Sequence, residues 1–123
     1  MRVLVVEDSD SIRRMIEALV SARGYGVTSV GTGARALEEA FASQPDVVLL
    51  DIDLAGSFDG IEVCTRLHAA PETHDLPVIV ITASSDEEVK RRALDAGATA
   101  FYEKPFSPLS LLEKIESLGP RRR

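Results

Sequence analysis

The run Val47-Val48-Leu49-Leu50-Asp51 decides the fold: four consecutive apolar residues, two of them β-branched, stop on a carboxylate. A strand with one wet face alternates apolar and polar residues. An unbroken apolar run needs cover on both faces, as in a parallel sheet. The same pattern returns on either side. Upstream, Val3-Leu4-Val5-Val6 ends on Glu7-Asp8, and a weaker run occupies 26–30. Downstream, 78–81 (Val-Ile-Val-Ile) ends on Thr82, and 98–102 is followed shortly by Lys104-Pro105.

Between these runs lie segments of helical period with readable ends. Ile12, Met15, Ile16, Leu19 and Val20 share one face, stopped at Gly24. Leu37, Ala40 and Phe41 repeat the pattern ahead of Pro45. Asp59 to Glu62 and Ser85 to Glu88 read as capping boxes, the second for a helix ending near Gly97. Ser107-Pro108 reads as an N-cap with proline at the first helical position, ahead of Leu111, Leu112, Ile115 and Leu118. Five β-α units with short connections predict a doubly wound α/β fold, a parallel sheet with helices on both faces. Ligands in such sheets bind at the C-terminal strand ends.

A chain of 123 residues suits one domain, read as 1–119, with 120–123 as a basic tail or the start of a linker. The net charge of −6 argues against a nucleic-acid-binding module. The apolar N-terminal run is too short for a signal peptide or a membrane span. Cys64 is the only cysteine, so no internal disulfide forms, and a reducing cytoplasm is the expected location.

The strand ends carry the chemistry. Glu7, Asp8, Asp51, Thr82 and Lys104 converge on one edge of the predicted sheet. Carboxylates gathered there repel one another, which a hard divalent ion such as Mg²⁺ relieves while leaving positions for water and phosphate oxygens. Lys104 adds a point charge suited to a phosphoryl oxygen, and Thr82 a hydroxyl donor. One carboxylate is then free to act as nucleophile and carry phosphate. Asp51 is the best placed, at the end of an apolar, central strand, with Asp8 and Glu7 helping to hold the metal.

This constellation resembles the bacterial response-regulator receiver family over essentially the whole chain. The resemblance rests on Val5-Val6-Glu7-Asp8, Leu49-Leu50-Asp51, Ile81-Thr82-Ala83 and Lys104-Pro105-Phe106, with Gly97-Ala98 before the fifth strand. It implies a flavodoxin-like strand order 2-1-3-4-5. It implies that Asp51 takes phosphate from a phosphohistidine on a sensor histidine kinase or histidine phosphotransfer protein. The metal ligands it implies are Asp8, Asp51 and the backbone carbonyl of Asp53, with Glu7 acting through water. Thr82 and Phe101 match the family's switch pair, and the Lys104-Pro105 peptide is expected to be cis. Phosphate would alter the helix 4–strand 5–helix 5 surface, controlling a downstream protein target or a fused output domain. Such a protein is a phosphoacceptor that assists its own phosphorylation and dephosphorylation, not an enzyme acting on other substrates.

The loop after the acceptor departs from the family pattern. The family runs to a proline and then a glycine, whereas Asp51 to Gly60 here lacks the proline and is one residue longer. Asp53, with Ser84, is also read as flanking water's approach to the phosphoryl group.

Singly, each of these residues has an ordinary explanation: loop acids, a turn threonine, a surface lysine, a core aromatic at Phe101 with Tyr102 competing for its role. In register with the strands they define a site. Cys64 reads as a packing residue, and His68 and His74 as surface groups. Three other functions compete: a Mg²⁺-dependent phosphohydrolase using the Asp51/Asp53 pair, a toprim-like metal site, and an interaction module working without phosphate. The acidic charge and the Thr82/Lys104-Pro105 signature count against the first two. The complete set of key residues counts against the third.

Overall fold

The computed structural model describes residues 1–53 and 59–120, so the loop 54–58 and the arginine tail 121–123 lie outside the described residues. The strands β1 (Arg2–Val6), β2 (Gly26–Val30), β3 (Val47–Asp51), β4 (Val78–Thr82) and β5 (Ala100–Glu103) form one parallel sheet, ordered β2-β1-β3-β4-β5. The helices are α1 (Asp10–Ala22), α2 (Gly33–Ser43), α3 (Gly60–Ala69), α4 (Glu87–Asp95) and α5 (Pro108–Leu118). The expected doubly wound topology is therefore the one adopted, with β3 in the centre.

Strand alternation divides the core in two. Leu4, Val6, Val48, Leu50, Val78 and Val80 pack with Ala36 and Ala40 of α2, Val63, Cys64 and Leu67 of α3, and Ala93 of α4. Val3, Val5, Val47, Leu49, Ile79 and Ile81 face the other way, onto Ile16 and Val20 of α1 and Leu111 and Ile115 of α5. β3 and β4 are buried along their whole length, whereas β2 and β5 are edge strands with partial cover. Edge position explains why the 26–30 run reads weakly in sequence.

Met15, read with the apolar face of the first helix, is exposed, and four further local details differ from the sequence reading. Phe41 is exposed, because α2 meets the sheet through the small Ala36 and Ala40, and the position beyond them turns to solvent. The α4 cap is Asp86, not Ser85. Its carboxylate accepts from the Glu88 N–H at 2.9 Å, and a negative charge there also suits the helix dipole. β5 begins at Ala100 rather than 98, because the Ala98 N–H turns back to the Ala93 carbonyl.

The fourth is His68, which is half-buried and structural. Its Nδ1 lies 3.0 Å from the Ala96 carbonyl oxygen and its Nε2 2.9 Å from that of Leu76, tying α3 to the end of α4 and the entry to β4. A Cβ on Gly97 would sit 2.5 Å from His68 Nδ1, and Gly97 adopts φ +105°, so glycine is required there on both counts. Cys64 packs as expected. Burial pushes its thiol up to about 11, leaving it a small protonated apolar group.

Candidate functional site

The site residues sit at the last position of a strand, as Asp51 and Thr82 do, or just past it, as Glu7, Asp8 and Lys104 do, so the sheet holds the chain at each of them. The Glu7 N–H still donates to the Val30 carbonyl at 3.1 Å, and the Arg13 guanidinium donates to the Glu7 carbonyl at 2.9 Å. Ser9 caps α1, accepting from the Ile12 N–H. Asp8 is thus fixed between an anchored strand and a capped helix. Asp51 ends β3 beside Ile81, and Thr82 ends β4. The Lys104 N–H donates to the Thr82 carbonyl at 2.7 Å, which sets Lys104 beyond β5, and the Lys104-Pro105 peptide is cis.

The side chains meet. Lys104 Nζ donates to Glu7 Oε1 at 2.8 Å and to Asp51 Oδ2 at 3.1 Å, joining the end of the edge strand β5 to the ends of β1 and β3. Carboxylate oxygens of Glu7, Asp8 and Asp51 lie within 4.8 Å of one another. Glu7 and Asp51 are buried while Asp8 is exposed, so the cluster opens toward solvent on the Asp8 side. Glu7 Oε2 is the one buried side-chain oxygen or nitrogen among the described residues without a hydrogen-bond partner. A buried orphan acceptor costs free energy unless something donates to it or coordinates it. The donor set, hard oxygens with at least one unsatisfied, fits a Mg²⁺-sized cation.

Electrostatics separate the two buried acids. Burial, then the shared hydrogen bond with Asp51, raises the Glu7 carboxyl to about 7. Burial also pushes Asp51 up, but the hydrogen bonds from Glu7, the Asp53 N–H and Lys104 outweigh it and hold Asp51 below the usual range. Lys104 is raised: burial lowers it, and bonding to Glu7 and Asp51 more than reverses this. Of the two buried acids Asp51 is thus the one held ionised at neutral pH, the form a nucleophilic carboxylate requires.

The raised Glu7 sets a pH dependence. Its folded pKa exceeds the ordinary 4.5, so the folded chain holds the extra proton between those values. The stabilisation is complete below 4.5 and is lost as pH rises through about 7. Without divalent ions, thermal unfolding should therefore show a falling melting temperature from pH 5 to pH 8, and Glu7→Gln should flatten that slope. A metal-free slope of the opposite sign would contradict the assignment.

Asp53 is held closely. Its N–H donates to Asp51 Oδ1 at 2.9 Å. Its Oδ2 accepts from the Thr82 hydroxyl at 2.9 Å and from the Ala83 N–H at 3.0 Å. Sequence reasoning placed Asp53 near the site but missed this grip and the Ala83 amide. Both depend on β3 and β4 being neighbours. The Ser84 hydroxyl accepts from the Asp86 N–H at 3.1 Å, in the turn leading to α4. Phe101 neighbours Val80 in register, on the face Val80 shares with Thr82, while Tyr102 pairs with Ile81 and packs on the opposite face.

A central apolar strand delivering a carboxylate into a ring of acids and one lysine defines a flavodoxin-type signalling domain with an acidic strand-end site. The response regulator receiver domain model matches residues 3–116, and the chain belongs to that family. Response regulator PleD of Caulobacter vibrioides is 36% identical over 117 residues, covering 95% of this chain and 26% of that protein. Response regulator MprA of Mycobacterium leprae is 36% identical over 118 residues, covering 96% of this chain and 50% of that protein. The chain therefore spans half or less of these relatives. Among solved structures, chemotaxis response regulator CheY4 of Vibrio cholerae is similar, with a TM-score of 0.87, 29% identity, and coverage of 96% and 98%. No helix among the described residues is long and apolar enough to cross a membrane.

Proposed function

We propose that Asp51 is the phosphoacceptor of a signalling switch, loaded from a phosphohistidine on a sensor histidine kinase or histidine phosphotransfer protein. The observation that carries this is Lys104 Nζ held 3.1 Å from an ionised, buried Asp51 carboxylate beside two further acids. An Asp51 oxygen attacks phosphorus. The phosphorus–nitrogen bond breaks with its electron pair returning to the donor imidazole, and an acyl phosphate remains. Lys104 orients and neutralises the oxygens of the transferred group. Asp8, Asp51 and the Asp53 backbone carbonyl would hold Mg²⁺, with Glu7 reaching it through water. When bound, the ion supplies Lewis-acid neutralisation of phosphoryl charge.

The added group carries about −1.5 to −2 charges and favours a conformation in which Thr82 moves toward it. Phe101, on the same face, then adjusts into the space released, altering the α4–β5–α5 surface offered to a downstream target or a fused output domain. The chain thereby assists its own phosphorylation and dephosphorylation. It acts in the cytoplasm, without contacting nucleic acid directly.

Incubation with acetyl phosphate and Mg²⁺ should add one acid-stable, base-labile phosphoryl group, lost completely in Asp51→Asn. Turnover of generic phosphoesters without a trapped phosphoryl group would favour the phosphohydrolase reading. Full signalling output from Asp51→Asn would favour the phosphate-independent one.

A further inference from the structure

We infer that the Asp53 carboxylate is a built-in competitor of the phosphoryl group, occupying the donors that the group would need on the β4 side of Asp51. The inference rests on Asp51 being the acceptor. Two donors face the site from the end of β4, the Thr82 hydroxyl and the Ala83 amide, and one oxygen, Asp53 Oδ2, holds both, at 2.9 and 3.0 Å. Neither has a proton to spare. A hydroxyl has a single hydrogen, and the other bond of Thr82 Oγ1 is one it accepts, from the Ser84 N–H at 3.1 Å. Ala83 has only its one N–H.

Nor is Asp53 there by accident of a loose side chain. Its own N–H is bonded to Asp51 Oδ1 at 2.9 Å, so its backbone is folded back on the acceptor and its carboxylate reaches across to β4. A phosphoryl group on Asp51 presents three strong acceptor oxygens and further negative charge. Lys104, already on Asp51 and Glu7, serves one side. On the β4 side the group meets donors already paired with another anion. To bind there it must approach another anion against like-charge repulsion and take both donors from it. Until it does, Asp53 holds Thr82 by the hydroxyl on which switching depends, setting a threshold for activation.

Beryllofluoride, a non-transferable mimic of the acyl phosphate, tests this in the intact chain at Mg²⁺ concentrations saturating for each variant. Asp53→Ala should bind it about tenfold more tightly than wild type, equivalent to about 1.4 kcal/mol. Asp53→Asn, which keeps an acceptor but not the charge, should fall between. Before any ligand is added, the Ala83 amide should exchange with solvent faster in Asp53→Ala, as seen by NMR. Unchanged or weaker beryllofluoride binding in both variants, or an Ala83 amide indifferent to the substitution, would overturn the inference. Failure of the underlying reading looks different: beryllofluoride would still bind after Asp51→Asn in an otherwise wild-type chain.

Discussion

Lys104→Met should destabilise the metal-free protein by about 3 kcal/mol at pH 8, and by distinctly less at pH 5.5. Lys104 Nζ is the cation on both buried carboxylates, at 2.8 Å from Glu7 and 3.1 Å from Asp51. Methionine keeps most of the stem volume and removes only the charge, so the loss reports electrostatics rather than a cavity. Two buried acids then face one another without a counter-ion. The chain's cheapest response is to keep Glu7 protonated, since burial already holds that group at about 7 and Lys104 acts to lower it. Below pH 5.5 this proton is readily available and the damage is limited. At pH 8 keeping it, or ionising both acids, costs more. Asp51 contributes the opposite slope, but only in acid, because its folded pKa lies below the ordinary 3.8. The stabilisation from the raised Lys104 is fully present at either pH.

Urea unfolding at the two pH values measures the difference, and added Mg²⁺ should restore much of the loss at pH 8 by linkage to the folded state. A loss below about 1 kcal/mol, equal at both pH values, would mean the pair behaves as a solvated surface contact. The same variant should accept phosphate from acetyl phosphate far more slowly, because the charge that neutralises the transferring group is gone.

Much of this arrangement was legible in the chain, for identifiable reasons. β3 and β4 read clearly because burial on both faces leaves no polar residue in them before the last, so where the apolar run stops the site begins. Asp51 and Thr82 are found by that rule alone. Glu7 and Asp8 follow from it once β1 is recognised. The edge strands are less legible: only partly covered, 26–30 and the start of β5 lack an unbroken apolar run, and β5 begins two residues after the run at 98–102 does. What could not be read were contacts decided by tertiary neighbours. His68 has no companions in sequence, yet its ring sits between two carbonyls, those of Leu76 ahead of β4 and Ala96 after α4. Asp53 carries no sign that its carboxylate crosses to β4. Phe101 is preferred to Tyr102 in sequence only by family resemblance, whereas the register places Phe101 on the Thr82 face and Tyr102 on the other.

Gly60→Ala should cost about 3 kcal/mol, at the upper end of overpacking effects, although alanine is the better helix former. Gly60 opens α3, directly after Asp59, whose side chain caps the helix by accepting from the Glu62 N–H at 3.0 Å. Its Cβ would lie 2.4 Å from Ile52 Cα and 2.7 Å from the Asp51 carbonyl oxygen. Those are backbone atoms, so no rotamer change relieves the clash. Ile52 cannot retreat cheaply, since its N–H is bonded to the Ile81 carbonyl at 3.2 Å. α3 is equally fixed, by fully buried Val63 and Cys64 and by His68 lodged between the Leu76 and Ala96 carbonyls. One of these anchors has to yield, and the Gly60 N–H bond to the Ile52 carbonyl, 3.3 Å, goes with it. The displaced atoms belong to the acceptor residue and its neighbour, so acetyl phosphate labelling of Asp51 should slow even where the variant remains folded. A variant within about 1 kcal/mol of wild type by urea unfolding, labelling at the normal rate, would show that α3 can shift without disturbing the end of β3. The close approach would then matter to neither stability nor chemistry.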